Sequence, residues 1–206
     1  MSRSSQTRQI GGVILIDLNS GAQRWVIRPG DWMIRAERAP SVQGVNYKQE
    51  WRDRAQHGPD GLAISPDNEW LYLHGHPWLS PHLYRIQIDI AVDEALSPDD
   101  IAANIELVAE TVYSDGIETD AQGRIYMTDL EGEAVTRFDP AMPQNGVEVL
   151  ASDPRISWPD AVAIGKNGDI YVTAAQFHKL PGTNDGVDQT IRPLQLLRLT
   201  KSARDQ

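Results

Sequence analysis

The chain has 206 residues, enough for one large domain or two small ones. It carries 19 basic against 29 acidic residues, a formal net charge of −10, which repels a phosphate backbone and argues against nucleic acid as a partner. The absence of cysteine removes disulfides, thiolate catalysis and Cys-ligated zinc, and no apolar run approaches the roughly 18 residues that a membrane helix needs.

In chain order, residues 1–9 read as a flexible polar tail; no apolar segment stands behind Met1-Ser2-Arg3-Ser4-Ser5, so no secretory signal is expected in this chain. Residues 10–28 read as a partial blade: a strand Gly12–Asp17, a turn at Asn19-Ser20-Gly21 and a returning strand Gln23–Ile27. Residues 30–57 show no period and are broken by Pro29-Gly30 and Pro40, which predicts a long loop of the kind that is functional or disordered.

A repeat follows. Asp60-Gly61-Leu62, Asp115-Gly116-Ile117 and Asp160-Ala161-Val162 each precede a Tyr-centred apolar run, around Tyr72, Tyr126 and Tyr171. The Asp positions are 55 and then 45 residues apart, and the Tyr positions 54 and then 45, a period that marks a β-propeller or a related array. Each copy reads strand, turn, strand, with Asn or Gly in the turn to supply positive φ. Third strands are expected near His82–Ile86, Ala134–Asp139 and Leu194–Leu199, and fourth strands near Ile105–Val108 and Val147–Leu150. Ser97-Pro98-Asp99-Asp100 carries the cap, the first-turn proline and the carboxylates of a short helix.

The expected fold class is therefore all-β: one partial β-propeller domain, with blades at 58–112 and 114–150 and a third at 158–199 that lacks its outer strand. Two readings are open at this point. One is a fragment of a longer propeller; the other is a half-ring that self-associates through its open blade edges.

Asp60, Asp115 and Asp160 each stand where the first strand of a blade begins. Radial repetition would turn the three side chains toward one channel mouth, where they suit a hard cation such as Ca²⁺, which takes about six to eight oxygens. The competing reading is that each carboxylate only fixes its turn. Glu118 lies three residues beyond Asp115 on the same strand, and Asp129 and Glu131 follow the next one. His74-Gly75-His76 has the spacing that puts both rings on one face of an extended chain, with His57 or His82 to complete a transition-metal set; incidental loop histidines are the blander reading. Trp70, Trp158, Tyr72, Tyr126 and Tyr171 recur at blade positions and read as packing residues. No phosphate loop and no Gly-x-Ser-x-Gly elbow is present.

The segments Ser114–Asp129 and Asp153–Ala163 continuing to Thr173, together with the hairpin Gly12–Gly21, resemble the bacterial branch of the Yellow / major royal jelly protein family, and more distantly the gluconolactonase-like propellers. The first resemblance implies a six-bladed ring, usually extracellular or periplasmic, with a small-molecule ligand in the central channel of some members. The second implies that the residue before the repeated Gly helps to hold a divalent cation. In the segment Ala175-Gln176-Phe177-His178, ligand-binding relatives commonly have Asn where Ala175 stands; here Phe177 keeps the apolar contact, and Gln176 and His178 offer polar ones. The leading expectation is a propeller that binds a small molecule in its channel without demonstrated catalysis. The alternatives are a divalent-metal-dependent lactonase- or dopachrome tautomerase-like enzyme using Asp115 and Asp160, and a structural or interaction module.

Overall fold

A computed structural model describes residues 11–28, 32–46, 58–76 and 79–200. The tail 1–9, residues 47–57 of the long unpatterned stretch, and His57 lie outside the described residues.

Strands β1 (Val13–Ile16) and β2 (Gln23–Ile27) form an antiparallel hairpin. The Asp17 carboxylate closes its turn by accepting the Asn19 amide at 2.7 Å. Within the stretch that showed no period, β3 (Ser41–Val42) pairs with β4 (Val45–Asn46) around Gln43 and Gly44, at φ +49° and +79°. Two residues per strand are too few for alternation to show, so this hairpin had no sequence signal beyond its glycine.

Two four-stranded antiparallel sheets follow in simple meander order. The first comprises β5 (Leu62–Ile64), β6 (Trp70–His74), β7 (His82–Gln87) and β8 (Glu106–Glu110). The second comprises β9 (Ile117–Thr119), β10 (Ile125–Asp129), β11 (Ala134–Phe138) and β12 (Val147–Ser152). A third sheet holds β13 (Pro159–Ile164), β14 (Ile170–Ala174) and β15 (Gln195–Leu199). Between β7 and β8 lie α1 (Ile88–Val92), which the sequence reading did not include, and α2 (Pro98–Ala102), which begins with a reciprocal capping box between Ser97 and Asp100.

The tight turns after β5, β9 and β13 solve one steric problem three times. Each needs one residue in the left-handed region, and the sequence supplies Asn68 at φ +61°, Gly123 at +80° and Gly168 at +82°. In the second blade Asp120 also accepts the amides of Gln122 and Arg124 at 3.0 and 2.9 Å.

The sheets stack face to face, as propeller blades do. Ala63, Tyr72 and Leu83 of the first blade pack on Ile117, Ile125, Met127 and Phe138 of the second. Tyr126 and Val135 of the second pack on Val162 and Val172 of the third. A further core joins the β1–β2 hairpin and both helices to the first blade through Val26, Ile27, Ile86, Ala91 and Ile101. At roughly 1.5–3 kcal/mol per large apolar side chain, these interblade layers hold the sheets in their radial array. The first strands come side by side: the Thr119 hydroxyl donates to the Ile64 carbonyl at 2.5 Å. The fold is thus all-β and propeller-type, and its first strands bring the three repeated aspartates to one end.

Candidate functional site

Each repeated aspartate is placed by backbone pairing at the open end of a first strand. The Asp60 amide donates to the His74 carbonyl at 3.0 Å. In the second blade, the Thr128 hydroxyl oxygen accepts the amides of both Asp115 and Gly116, at 3.1 Å each. In the third, Thr173 in the same register accepts the Ala161 amide at 3.0 Å. His74 occupies that register in the first blade, and its ring is spent elsewhere.

The glycine after Asp115 has a steric cause. A Cβ on Gly116 would stand 2.2 Å from the Asp160 carbonyl oxygen. The backbone of the third blade therefore runs directly against that of the second at this point, and the approach carries Asp160 toward Asp115.

The three carboxyls influence one another. Burial first, and then the Asp60 charge, push Asp115 up to about 8, with Asp160 adding to the effect. Burial also raises Asp60, opposed by its hydrogen bond with Asp115 and reinforced by the Asp160 charge, although 42% of its side chain is exposed. Burial alone raises Asp160. A hydrogen bond between two carboxyls needs a proton, so Asp60 and Asp115 share one between them. The Trp158 indole N–H donates to Asp115 Oδ2 at 2.5 Å and partly offsets the rise. His76 Nε2 lies 4.0 Å from Asp60 Oδ2.

The donor chemistry is that of a hard-cation site, since the mutual repulsion of neighbouring carboxylates, two of them partly buried, is what a dication relieves. Among the described residues, no group of three or more His, Asp or Glu side chains is close enough to enclose an ion. The aspartates therefore fit a cation as an open, incomplete set of oxygen ligands.

The remaining candidates divide. Glu118 sits mid-strand in β9, and its carboxylate accepts the neighbouring Thr119 amide at 2.9 Å. Gln176 is buried at φ +57°, and its amide both donates to the Ile191 carbonyl at 3.0 Å and accepts the Ile191 amide at 2.8 Å, tying down the loop before β15. His178 is buried, with Nε2 2.9 Å from the Gln43 amide oxygen, and burial holds its pKa down to about 4. Phe177 is 44% exposed and meets the Trp158 ring edge-on. His74 does not join His76: it is fully buried, Nδ1 is 2.9 Å from the Gly75 carbonyl, and Nε2 is 3.0 Å from the Thr111 hydroxyl. His82 Nδ1 contacts the Ser80 hydroxyl at 3.1 Å. Asp129 caps its own turn by accepting the amides of Glu131 and Gly132, and Glu131 takes two hydrogen bonds from Arg38.

Trp158, read from sequence as a packing residue, and the clamp residue Thr128 are the contributors that the sequence reading missed. A signal existed for each. Thr128 and Thr173 hold the same place after the repeated tyrosine, and Trp158 stands two residues before Asp160. A cleft of about 630 Å³ opens just upstream of Asp115, lined by Arg35, Arg38, His82, Glu110, Tyr113 and Asp129 among others.

Residues 41–176 match the family described as SMP-30/Gluconolactonase/LRE-like region. None of the curated protein sequences matches the chain. Among solved structures it is similar to a Xanthomonas campestris gluconolactonase, at 15% identity and a TM-score of 0.47 over 68% of this chain and 42% of that one. A luciferin-regenerating enzyme is similar at 18% identity and a TM-score of 0.48, over 70% of this chain and 45% of that one. A calcium-binding regucalcin from Agrobacterium tumefaciens is similar at 16% identity and a TM-score of 0.42, over 88% of this chain and 70% of that one. The chain thus spans less than half the length of the first two. The family match falls on the more distant of the two resemblances drawn from sequence, the gluconolactonase-like one, and covers all three repeated aspartates: the chain belongs to the SMP-30/gluconolactonase/LRE-like family.

Proposed function

We propose that the end of the blades bearing Asp60, Asp115 and Asp160 serves a divalent-cation-dependent hydrolase acting on a lactone. One observation carries this reading: the Asp60 and Asp115 carboxyls of two successive blades are hydrogen-bonded within the field of Asp160 on the third, and burial with the Asp60 charge pushes Asp115 up to about 8. A bound dication would supply Lewis-acid polarisation of the lactone carbonyl and a more acidic water. Asp115 and Asp160 are the residues assigned to hold it, and the proton shared by Asp115 and Asp60 would leave as the dication binds. Family membership points the same way.

Calorimetric titration with Ca²⁺, Mn²⁺ and Zn²⁺, paired with pH-stat assay of sugar-lactone hydrolysis, tests the proposal. Binding heat that disappears in Asp115→Asn, together with cation-dependent acid release, is the expected result. A folded sample that gives no heat with any of the three ions sinks it.

A second reading, small-molecule binding without chemistry, is favoured by the cleft of about 630 Å³ lined by His82, Tyr113 and Asp129. Its mark would be ligand binding that persists in chelator and in Asp115→Asn. The Yellow-like resemblance belongs to this reading, as does a channel ligand touched by Phe177.

A further inference from the structure

Trp158 is 1% exposed. It stacks on His178, with centroids 6.1 Å apart and planes at 15°, and meets Phe177 edge-on at 5.8 Å. It shares a buried apolar cluster with Val42, Tyr113 and Leu130. Its backbone is at φ +54°, a left-handed conformation that a bulky aromatic residue adopts only where its surroundings enforce it. The enforcement is visible: the Ala175 amide donates to the Trp158 carbonyl at 3.0 Å, and the Gln176 amide to the Ser157 carbonyl at 3.1 Å. The outcome of this unfavourable backbone is that the indole N–H of one blade points at the carboxylate of the blade before it, 2.5 Å from Asp115 Oδ2.

The equivalent position in the second blade shows that blade packing alone does not require this. Tyr113 stands two residues before Asp115, as Trp158 stands two before Asp160. Its hydroxyl donates to the Arg38 carbonyl at 2.8 Å and so serves the overlying loop. A tryptophan used only for bulk would not need a strained backbone or a donor aimed at a partly buried carboxyl.

We propose that Trp158 is a positioning residue for Asp115: its indole N–H fixes one carboxylate oxygen, so that the other is presented in a single orientation to the cation and substrate. The role rests on the hydrolase reading above for its purpose, though the contact itself can be measured without any ligand. Outer partners that orient a metal-binding side chain typically change metal affinity about 10–100-fold when removed, which sets the size of the expected effect.

The experiment uses Trp158→Phe, which keeps an aromatic ring beside His178 and deletes the N–H donor with the pyrrole ring. In ¹⁵N–¹H spectra of the wild type without cation, one of the indole resonances should be displaced downfield. It should vanish in Trp158→Phe and return to the range of the others in Asp115→Ala. Calcium titration of Trp158→Phe, under conditions where urea unfolding shows the variant folded, should then show affinity weakened about tenfold or more. An indole resonance that ignores Asp115→Ala overturns the proposal. So does a Trp158→Phe variant with wild-type calcium affinity. If the wild type binds no cation, the hydrolase reading falls, and the response of the indole resonance to Asp115→Ala alone decides whether Trp158 positions Asp115.

Discussion

At the scale of single residues, Asp115 has the most measurable consequence. Its pKa is raised from the ordinary carboxylate value to about 8, by burial and then by the charge of Asp60. In an unfolded chain it would titrate near 4. The folded state therefore binds more protons over that interval, and the group's contribution to stability is full below about pH 4 and is lost as pH rises through about 8. Asp60 and Asp160 are the ionisable groups that face it, and His76 faces Asp60 in turn. Thermal melts without divalent cation should show stability falling between pH 5 and 9 (about those values), and Asp115→Asn should flatten the fall and melt higher at the alkaline end. Calcium should reverse the fall in the wild type and leave Asp115→Asn unchanged. His74 works in the opposite sense: burial lowers its pKa to about 4, so its contribution is lost as pH drops below the ordinary histidine range.

At the scale of elements, the closest approach in the site is between Gly116, just ahead of β9, and the backbone of Asp160 in β13. Gly116→Ala would place a methyl 2.2 Å from the Asp160 carbonyl oxygen, and a backbone atom cannot swing aside as a side chain can. A loss of about 1–3 kcal/mol in urea unfolding is expected, the range for forced overpacking, with a larger proportional loss of cation binding because the two aspartates are driven apart. Ala161→Gly at the matching place in the third blade should cost no more than about 1 kcal/mol, an entropic effect alone. Equal losses for the two variants would show that the contact between blades does not position the site. The elements differ in how visible they were in sequence. The helix α2 was legible because its cap is local, Ser97 with Asp100. The helix α1, with no side-chain cap at Gln87, and the β3–β4 hairpin, with two residues per strand, carried no comparable pattern.

At the scale of the whole molecule, the blades bury their faces against one another and leave edges open. In β15 and the residue before it, Leu196 and Leu194 are 65% and 54% exposed, and in β1 Ile16 is 50% exposed. Unpaired edge strands with apolar side chains template further pairing. Light scattering of the chain as it stands should report a mass that rises with concentration, and Leu196→Lys should reduce that rise; a monodisperse monomer at every concentration would contradict the expectation of association through blade edges. The net charge of −10 opposes such association, so added salt should strengthen it.

The repeat of Asp, turn and Tyr determined by itself that the chain folds as successive β-meanders, because strand alternation and left-handed turn residues act over a few positions and are written where they act. It also placed three aspartates at equivalent ends of three strands. Which side chains meet there was decided only by the packing of one blade on the next. Trp158 reaches Asp115 across 43 residues of sequence, and His178 reaches Gln43 across 135. No periodicity specifies such pairs, since they depend on how far each sheet is rotated against its neighbour. That rotation is fixed by interblade side-chain volume and by the bare backbone of Gly116.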